Sequence, residues 1–312
     1  MTEKAPAIRQ AFFSARGRNA RPDPLNPRLF SLKSNNPGRT FSRVTLKDAR
    51  TRDWDPTTPL RGEVAEHKVT SLVLGNERIV WVYAPSEPPG KNGKHDLLIF
   101  LDGWHYLEWV YAATVVEHLV LENRIDRPVI AFVDCLDTET RSREQRCHDP
   151  FNTFLVDELM PWIREVCPTV TDDADRTTIG GSSNGGLAAA YAGLMHANVF
   201  RNILSQSGSF AWHPDEEKGP KRPEAPREWL THQFAISEKQ PLRFHLSIGQ
   251  LENSVRPGRP PGGLFANRHT RDVLLAKGYE VDFVEYNGGH GYYEWSGVLG
   301  DGLIALAKMR DE

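Results

Sequence analysis

The sequence predicts an α/β protein, a mostly parallel central sheet with helices on both faces. Two observations predict it. From about residue 64 onward, short β-rich runs alternate with stretches whose apolar residues recur at helical spacing. Runs such as Leu97–Leu101 (LLIFL) and Pro128–Asp134 (PVIAFVD) are almost uninterruptedly apolar, as strands covered on both faces must be. The bulk numbers agree. A chain of 312 residues with 39% hydrophobic and 25% charged positions can bury a large core. Its net charge of −3 argues against a general nucleic-acid or membrane-surface binder. No run approaches the roughly 18 apolar residues of a membrane span.

The elements follow in order. Residues 1–60 are rich in Pro, Arg, Asn and Asp without sustained periodicity, and read as an extended arm ahead of a domain over 61–312. Ile79–Tyr83 and Leu97–Leu101 read as strands. Tyr106–Leu121 reads as one helix, with Leu107, Val110, Tyr111, Val115 and Leu119 on a single face. Pro128–Asp134 is a buried strand, and Phe154–Val166 a helix ended by Cys167–Pro168. Thr177–Gly180, Phe200–Ser205, Leu242–Ile248 and Val281–Tyr286 read as further strands. Gly186–His196, Leu264–Lys277 (closed by Gly278) and Tyr293–Met309 read as helices. Residues 211–240 break the alternation and suggest an insertion or cap.

The strongest chemical signal lies between a strand and a small-residue helix. Gly181-Ser182-Ser183-Asn184-Gly185 has the form G-x-S-x-G, which makes a turn so tight that bulk two residues either side of the serine would clash. Ser183 is therefore the expected nucleophile, at a helix N-terminus whose dipole favours a developing oxyanion. Ser182 lacks the flanking glycine pair. This strand–turn–helix context specifies the α/β-hydrolase fold, with chain order serine, acid, histidine. Among eleven histidines, His290 follows the last strand on a Gly-rich loop (Asn287-Gly288-Gly289-His290-Gly291) and is the expected base. His105, His118, His148, His196 and His269 lack that placement. Glu252 is the first carboxylate after Leu242–Ile248 and is the expected acid. Asp272 falls inside a helix, and Asp282 and Glu285 lie too close to His290 in the last strand. Two backbone N–H groups should form the oxyanion hole, one from Asn184 and one from Trp104 or Gly103 in the loop after Leu97–Leu101. The three cysteines, Cys135, Cys147 and Cys167, show no metal-binding spacing. With no apolar leader in the first residues, they point to the cytoplasm.

These residues resemble the enterochelin esterases, ferric siderophore trilactone hydrolases of the broader esterase D-like group. The resemblance covers about residues 64–308. Its words include LLIFLDGWHY (97–106), FVDCLDTETRSRE (132–144), GGSSNGGLAAAYAGL (180–194), ILSQSGSFAW (203–212), GQLEN (249–253) and GGHGYYEW (288–295). It implies Ser183, Glu252 and His290 as triad, Asp102-Gly103-Trp104 as oxyanion loop, and Arg141 and Arg143 facing the substrate. RPDPLNPRLF (21–30) resembles the tail of the family's N-terminal domain, whose main body this sequence lacks. A ferric catecholate is anionic and aromatic, so Asp102, Arg141, Arg143, Trp212 and Arg256 are expected around it, with Arg146, Arg259 and Phe210 nearby. No cofactor or protein-bound metal is expected, since iron would arrive with the substrate. The partner is a small, anionic ester, not nucleic acid or membrane. Two alternatives stand beside this one: a general cytoplasmic carboxylesterase, and a non-catalytic ligand-binding protein on the same scaffold.

Overall fold

The computed structural model describes residues 59–90, 93–214, 227–253 and 262–312, together with the backbone of four short strands nearer the start. Those strands pair as two antiparallel ribbons: β1 (Gln10–Ala11) with β4 (Val44–Thr45), and β2 (Leu29–Ser31) with β3 (Thr40–Ser42). The rest of the expected arm lies outside the described residues, apart from its last two positions.

Eight strands make the main sheet. They are β5 (Glu63–Ser71), β6 (Asn76–Ala84), β7 (Leu97–Leu101), β8 (Val129–Val133), β9 (Thr177–Ser182), β10 (Asn202–Gln206), β11 (Arg243–Gly249) and β12 (Glu280–Tyr286). Their spatial order is β12-β11-β10-β9-β7-β8-β6-β5. From β8 through β12 all neighbours are parallel, while β6 runs antiparallel to both β8 and β5. The central strands bury both faces, and the period of two divides their side chains between two cores. Ile99, Leu101, Ala131 and Val133 enter one core; Leu98, Phe100, Ile130 and Phe132 enter the other.

Helices cover each face. On the first lie α4 (Asp149–Thr153), a π-helical turn (Phe154–Leu159), α5 (Met160–Val166), α6 (Asn184–Met195), α7 (Trp229–Ile236) and α8 (Gly263–Ala276). The second carries α1 (Gly103–Glu108), α2 (Ala112–Leu121) and α9 (Tyr292–Asp311). This is the α/β-hydrolase fold.

Three expectations change. The single helix over Tyr106–Leu121 is two helices, because Tyr111 takes a left-handed conformation (φ 58°) and turns the chain between α1 and α2. The apolar spacing ran through the break because Tyr106, Val110, Val115 and Leu119 all pack into the same core. Residues 211–240 contain α7, whose Leu230 and Phe234 are buried; 215–226 lie outside the described residues. The run Arg141–Arg146 is largely helical rather than a loop. It is mostly α3 (Thr138–Glu144), capped by the Asp137 side chain, which accepts from the Glu139 and Thr140 N–H groups.

Because β7 through β12 run parallel, their carboxyl ends share one edge. That edge gathers the loops carrying Asp102, α3, Ser183, Ser207, Glu252 and His290.

Candidate active site

Ser183 sits between β9 and α6 with φ 58° and ψ −119°, a strained backbone for a non-glycine residue. The turn can close this tightly only with glycines at its flanks: a Cβ on Gly181 would lie 2.6 Å from the carbonyl carbon of Gly185. The Ser183 N–H donates to the Gln206 carbonyl (3.0 Å), and the Ser183 carbonyl accepts from the Ser209 N–H (2.9 Å). Its Oγ lies 3.3 Å from Ser209 Oγ. Ser182, the neighbouring hydroxyl, is buried at the strand end. Asn184 opens α6, so its N–H is among those the helix itself leaves without a partner.

The loops carrying Glu252 and His290 meet beyond the ends of β11 and β12. His290 Nδ1 lies 2.6 Å from Glu252 Oε2. The other carboxylate oxygen, Oε1, accepts from Ser207 Oγ (2.7 Å) and from the Gly249 N–H (3.0 Å). Trp295 packs edge-on against the His290 ring at 4.9 Å. Nε2 is then the imidazole nitrogen left for a reaction partner. The arrangement can do general-base chemistry, with the carboxylate orienting the ring and stabilising its cation.

On the other side of Ser183 the structure pairs two residues expected to face the substrate with each other. Asp102 is fully buried and left-handed (φ 60°). Its Oδ1 accepts from Arg141 Nε (2.7 Å) and Gln145 Nε2 (2.8 Å), and its Oδ2 from Arg141 Nη2 (2.5 Å). Arg141 Nη2 also reaches the Ser182 carbonyl at 3.3 Å. Burial alone would lower the Arg141 pKa, but Asp102 outweighs it and the pKa is raised. The pair therefore ties the loop after β7 to the strand that ends in Ser183. This corrects the reading of Asp102 as a substrate contact, since its carboxylate has no face left for a ligand. Gly103 and Trp104 follow it at the start of α1, with Trp104 half-buried against Trp81 (5.7 Å between ring centres).

The remaining calls divide. Arg143 is exposed on α3. Arg256 and Arg259 lie outside the described residues. Trp212 is half-buried and packs edge-on against Trp229 (6.0 Å), and Phe210 is a core residue. His118 pairs with Glu122, His269 with Glu228, and His245 with Asp282, while Glu285 is bound by Arg268. Asp102, His105 and Cys135 bring three potential metal-ligand atoms within 4.8 Å of one another. They do not suit a cation: Arg141 already neutralises Asp102, and burial together with the Asp102 charge pushes the Cys135 thiol up.

The segment Gln206–Ser209 was given no role from sequence. Yet it touches Ser183 through Gln206 and Ser209, Glu252 through Ser207, and α9 through Gln206 Nε2 to the Trp295 carbonyl (2.8 Å). The available signal was three small hydroxyl residues around Gly208, at the carboxyl end of a predicted central strand.

A mostly parallel sheet with a strained serine between strand and helix, and a carboxylate–histidine pair beyond the ends of the last two strands, defines an α/β hydrolase with a nucleophile elbow. The chain belongs to the Esterase family, described as Putative esterase, whose model matches residues 71–306. It is 32% identical over 255 residues to the iron(III) enterobactin esterase of Dickeya dadantii, covering 76% of this chain and 53% of that one. The chain thus spans about half the length of that relative. The ferric enterobactin esterase of Salmonella typhimurium superposes with a TM-score of 0.77 at 28% identity, over 93% of this chain and 69% of that one. The enterobactin esterase of Shigella flexneri, crystallised in the presence of enterobactin, gives 0.74 at 27% identity, over 92% and 70%.

Proposed function

We propose that this chain is a serine esterase that hydrolyses the ester linkages of a ferric catecholate siderophore of the enterobactin type. The observation that carries the reading is the Glu252–His290 pair, set on the same sheet edge as a strained serine, in a chain whose relatives are enterobactin esterases. In this mechanism Ser183 Oγ attacks an ester carbonyl while His290 Nε2 takes its proton. Glu252 holds Nδ1–H and stabilises the imidazolium. Backbone N–H groups of Asn184 and of Gly103 or Trp104 bind the oxyanion. His290 returns the proton to the leaving alcohol, and then activates the water that cleaves the acyl-enzyme.

Each step uses only side chains and backbone of this chain, and iron belongs to the substrate. Arg143, exposed on α3, is the described arginine we assign to the anionic catecholate, and Arg256, four positions after Glu252 in the sequence, is assigned with it. We place the enzyme in the cytoplasm on its three free cysteines. Among the described residues no helix is long and apolar enough to cross a membrane.

The test is hydrolysis of ferric enterobactin with chromatography of the products, 4-nitrophenyl butyrate as comparison ester, and Ser183→Ala as control. Release of linear or monomeric catechol-serine units by the wild type alone supports the reading. Turnover of the simple ester alone removes the siderophore and leaves a general esterase. A folded Ser183→Ala protein with full activity removes the mechanism.

A further inference from the structure

We propose that Ser207 is the positioning residue of the acid: its hydroxyl locks the Glu252 carboxylate so that Oε2 is aimed at His290. This rests on the assignment of Glu252 and His290 as acid and base.

Ser207 follows β10 and is 2% exposed, with a left-handed backbone (φ 52°). A glycine would adopt that conformation at less cost, so a serine there points to use of its hydroxyl. Four polar contacts surround the residue. Its N–H donates to the Ser247 carbonyl (2.6 Å). Its Oγ lies 2.7 Å from Glu252 Oε1, 2.9 Å from Trp295 Nε1 and 3.1 Å from Tyr286 OH.

Proton counting gives the network a direction. The indole N–H can only donate, so Ser207 Oγ accepts from Trp295. The single Ser207 proton goes to the nearer and charged acceptor, Glu252 Oε1. Burial, with the Glu252 charge adding to it, pushes the Tyr286 hydroxyl well up, so it keeps its single proton, which is shared between Ser207 Oγ and the Gly289 carbonyl (3.2 Å), just before His290. The chain thus runs Trp295 N–H to Ser207 O–H to Glu252, whose other oxygen accepts from His290 Nδ1–H, and the indole donor polarises the hydroxyl.

The consequence is an asymmetric carboxylate. Oε1 receives two hydrogen bonds, from Ser207 and the Gly249 N–H, while Oε2 receives the imidazole. Two donors on one oxygen fix the plane of the carboxylate; one donor leaves it free to pivot. Without the hydroxyl, Oε2 swings off Nδ1. His290 then loses both its orientation and the partner of its cation.

The experiment compares the wild type with Ser207→Gly, Ser207→Ala, Trp295→Phe and Glu252→Gln in the full chain, using 4-nitrophenyl butyrate across pH. Glycine relieves the strain at φ 52° while loss of the hydroxyl leaves the Trp295 N–H unpaired, so Ser207→Gly should stay folded, with its stability changed by about 1 kcal/mol. Its kcat should fall on the order of 10–100-fold, as for other residues that orient a reacting group from behind, with KM unchanged. The acid limb of kcat/KM should move to lower pH, because the imidazolium has lost stabilisation. Ser207→Ala should match it. Trp295→Phe removes the indole donor and also alters the packing against the His290 ring, so its loss should overlap only in part with that of Ser207→Gly. Wild-type kcat and pH profile in Ser207→Gly, with Glu252→Gln crippled, would overturn the positioning role alone. Full turnover in Glu252→Gln would overturn the acid assignment and this proposal with it.

Discussion

Two carboxylates stand on opposite sides of Ser183 along the carboxyl edge of the sheet, beyond the ends of β7 and β11, and they are held in opposite ways. Asp102, on the side of the loop after β7, is fully buried and permanently neutralised by a bidentate arginine. Glu252, on the side that carries His290, has a 9% exposed side chain held by a hydroxyl, a backbone N–H and an imidazole. A carboxylate with a fixed counter-cation has its field spent within the pair and serves architecture. One held by neutral donors keeps its charge for a cation that forms only during reaction. The difference in partners, not in burial or residue type, separates a strut from the carboxylate we propose as the acid.

The largest effect expected from this contrast is on stability. Arg141→Ala leaves the Asp102 charge buried without a cation, the kind of change that costs about 3–5 kcal/mol. The outcome expected in urea unfolding is an unfolding free energy lowered by that amount, seen as a lower midpoint with unchanged slope. Ser207→Gly on the other side should leave the unfolding free energy within about 1 kcal/mol of wild type. Equal losses from both substitutions would break the distinction. If Arg141 served substrate rather than architecture, Arg141→Ala would keep its midpoint and lose only turnover of anionic esters.

A smaller effect belongs to the turn between the two sides. In Gly181→Ala the new methyl would lie 2.6 Å from the Gly185 carbonyl carbon, a backbone atom that cannot rotate away. The turn must open, at a cost of about 1–3 kcal/mol. Fluorophosphonate labelling should slow more than the folded fraction accounts for, because Ser183 moves with the turn. Normal labelling in a folded Gly181→Ala protein would show that the elbow tolerates a looser geometry.

Much of this was legible in the sequence. Strands buried on both faces were visible as LLIFL and PVIAFVD, since no position in them needs to be polar. The placement of Ser183, Glu252 and His290 could be read because the fold fixes which strand ends carry which group. Other features depend on contacts the sequence does not encode locally. The break at Tyr111 was hidden because both helices face one core. Glu63–Ser71 is an edge strand whose half-exposed pattern left it without an assigned element. Arg141 looked like a substrate ligand because its anion, Asp102, lies 39 residues away. Ser207 and Trp295 are 88 residues apart, and only the packing of α9 across β10 and β11 brings them together.

The smallest predicted effect tests whether burial is what gives the Asp102–Arg141 pair its worth. Arg268 also makes a bidentate pair, to Glu285 at 2.6 and 2.7 Å, but its side chain is 41% exposed. The Arg268 hydrogen bonds, with its charge, hold the Glu285 pKa below its usual value against a weaker opposing effect of burial. A depressed folded-state pKa gives stability that is present above the unfolded value, about 4.3, and is lost as pH falls through the folded one. Water screens this pair, so Arg268→Ala should cost only about 0.2–1 kcal/mol at neutral pH and nothing below that window. Unfolding measured at neutral pH and again below the folded-state pKa would show both. The geometry of this pair is as good as that of Asp102 with Arg141; only its access to water differs. A cost matching Arg141→Ala would mean that ion pairing itself, and not an unpaired buried charge, sets the penalty, and the contrast between the two sides would lose its physical basis.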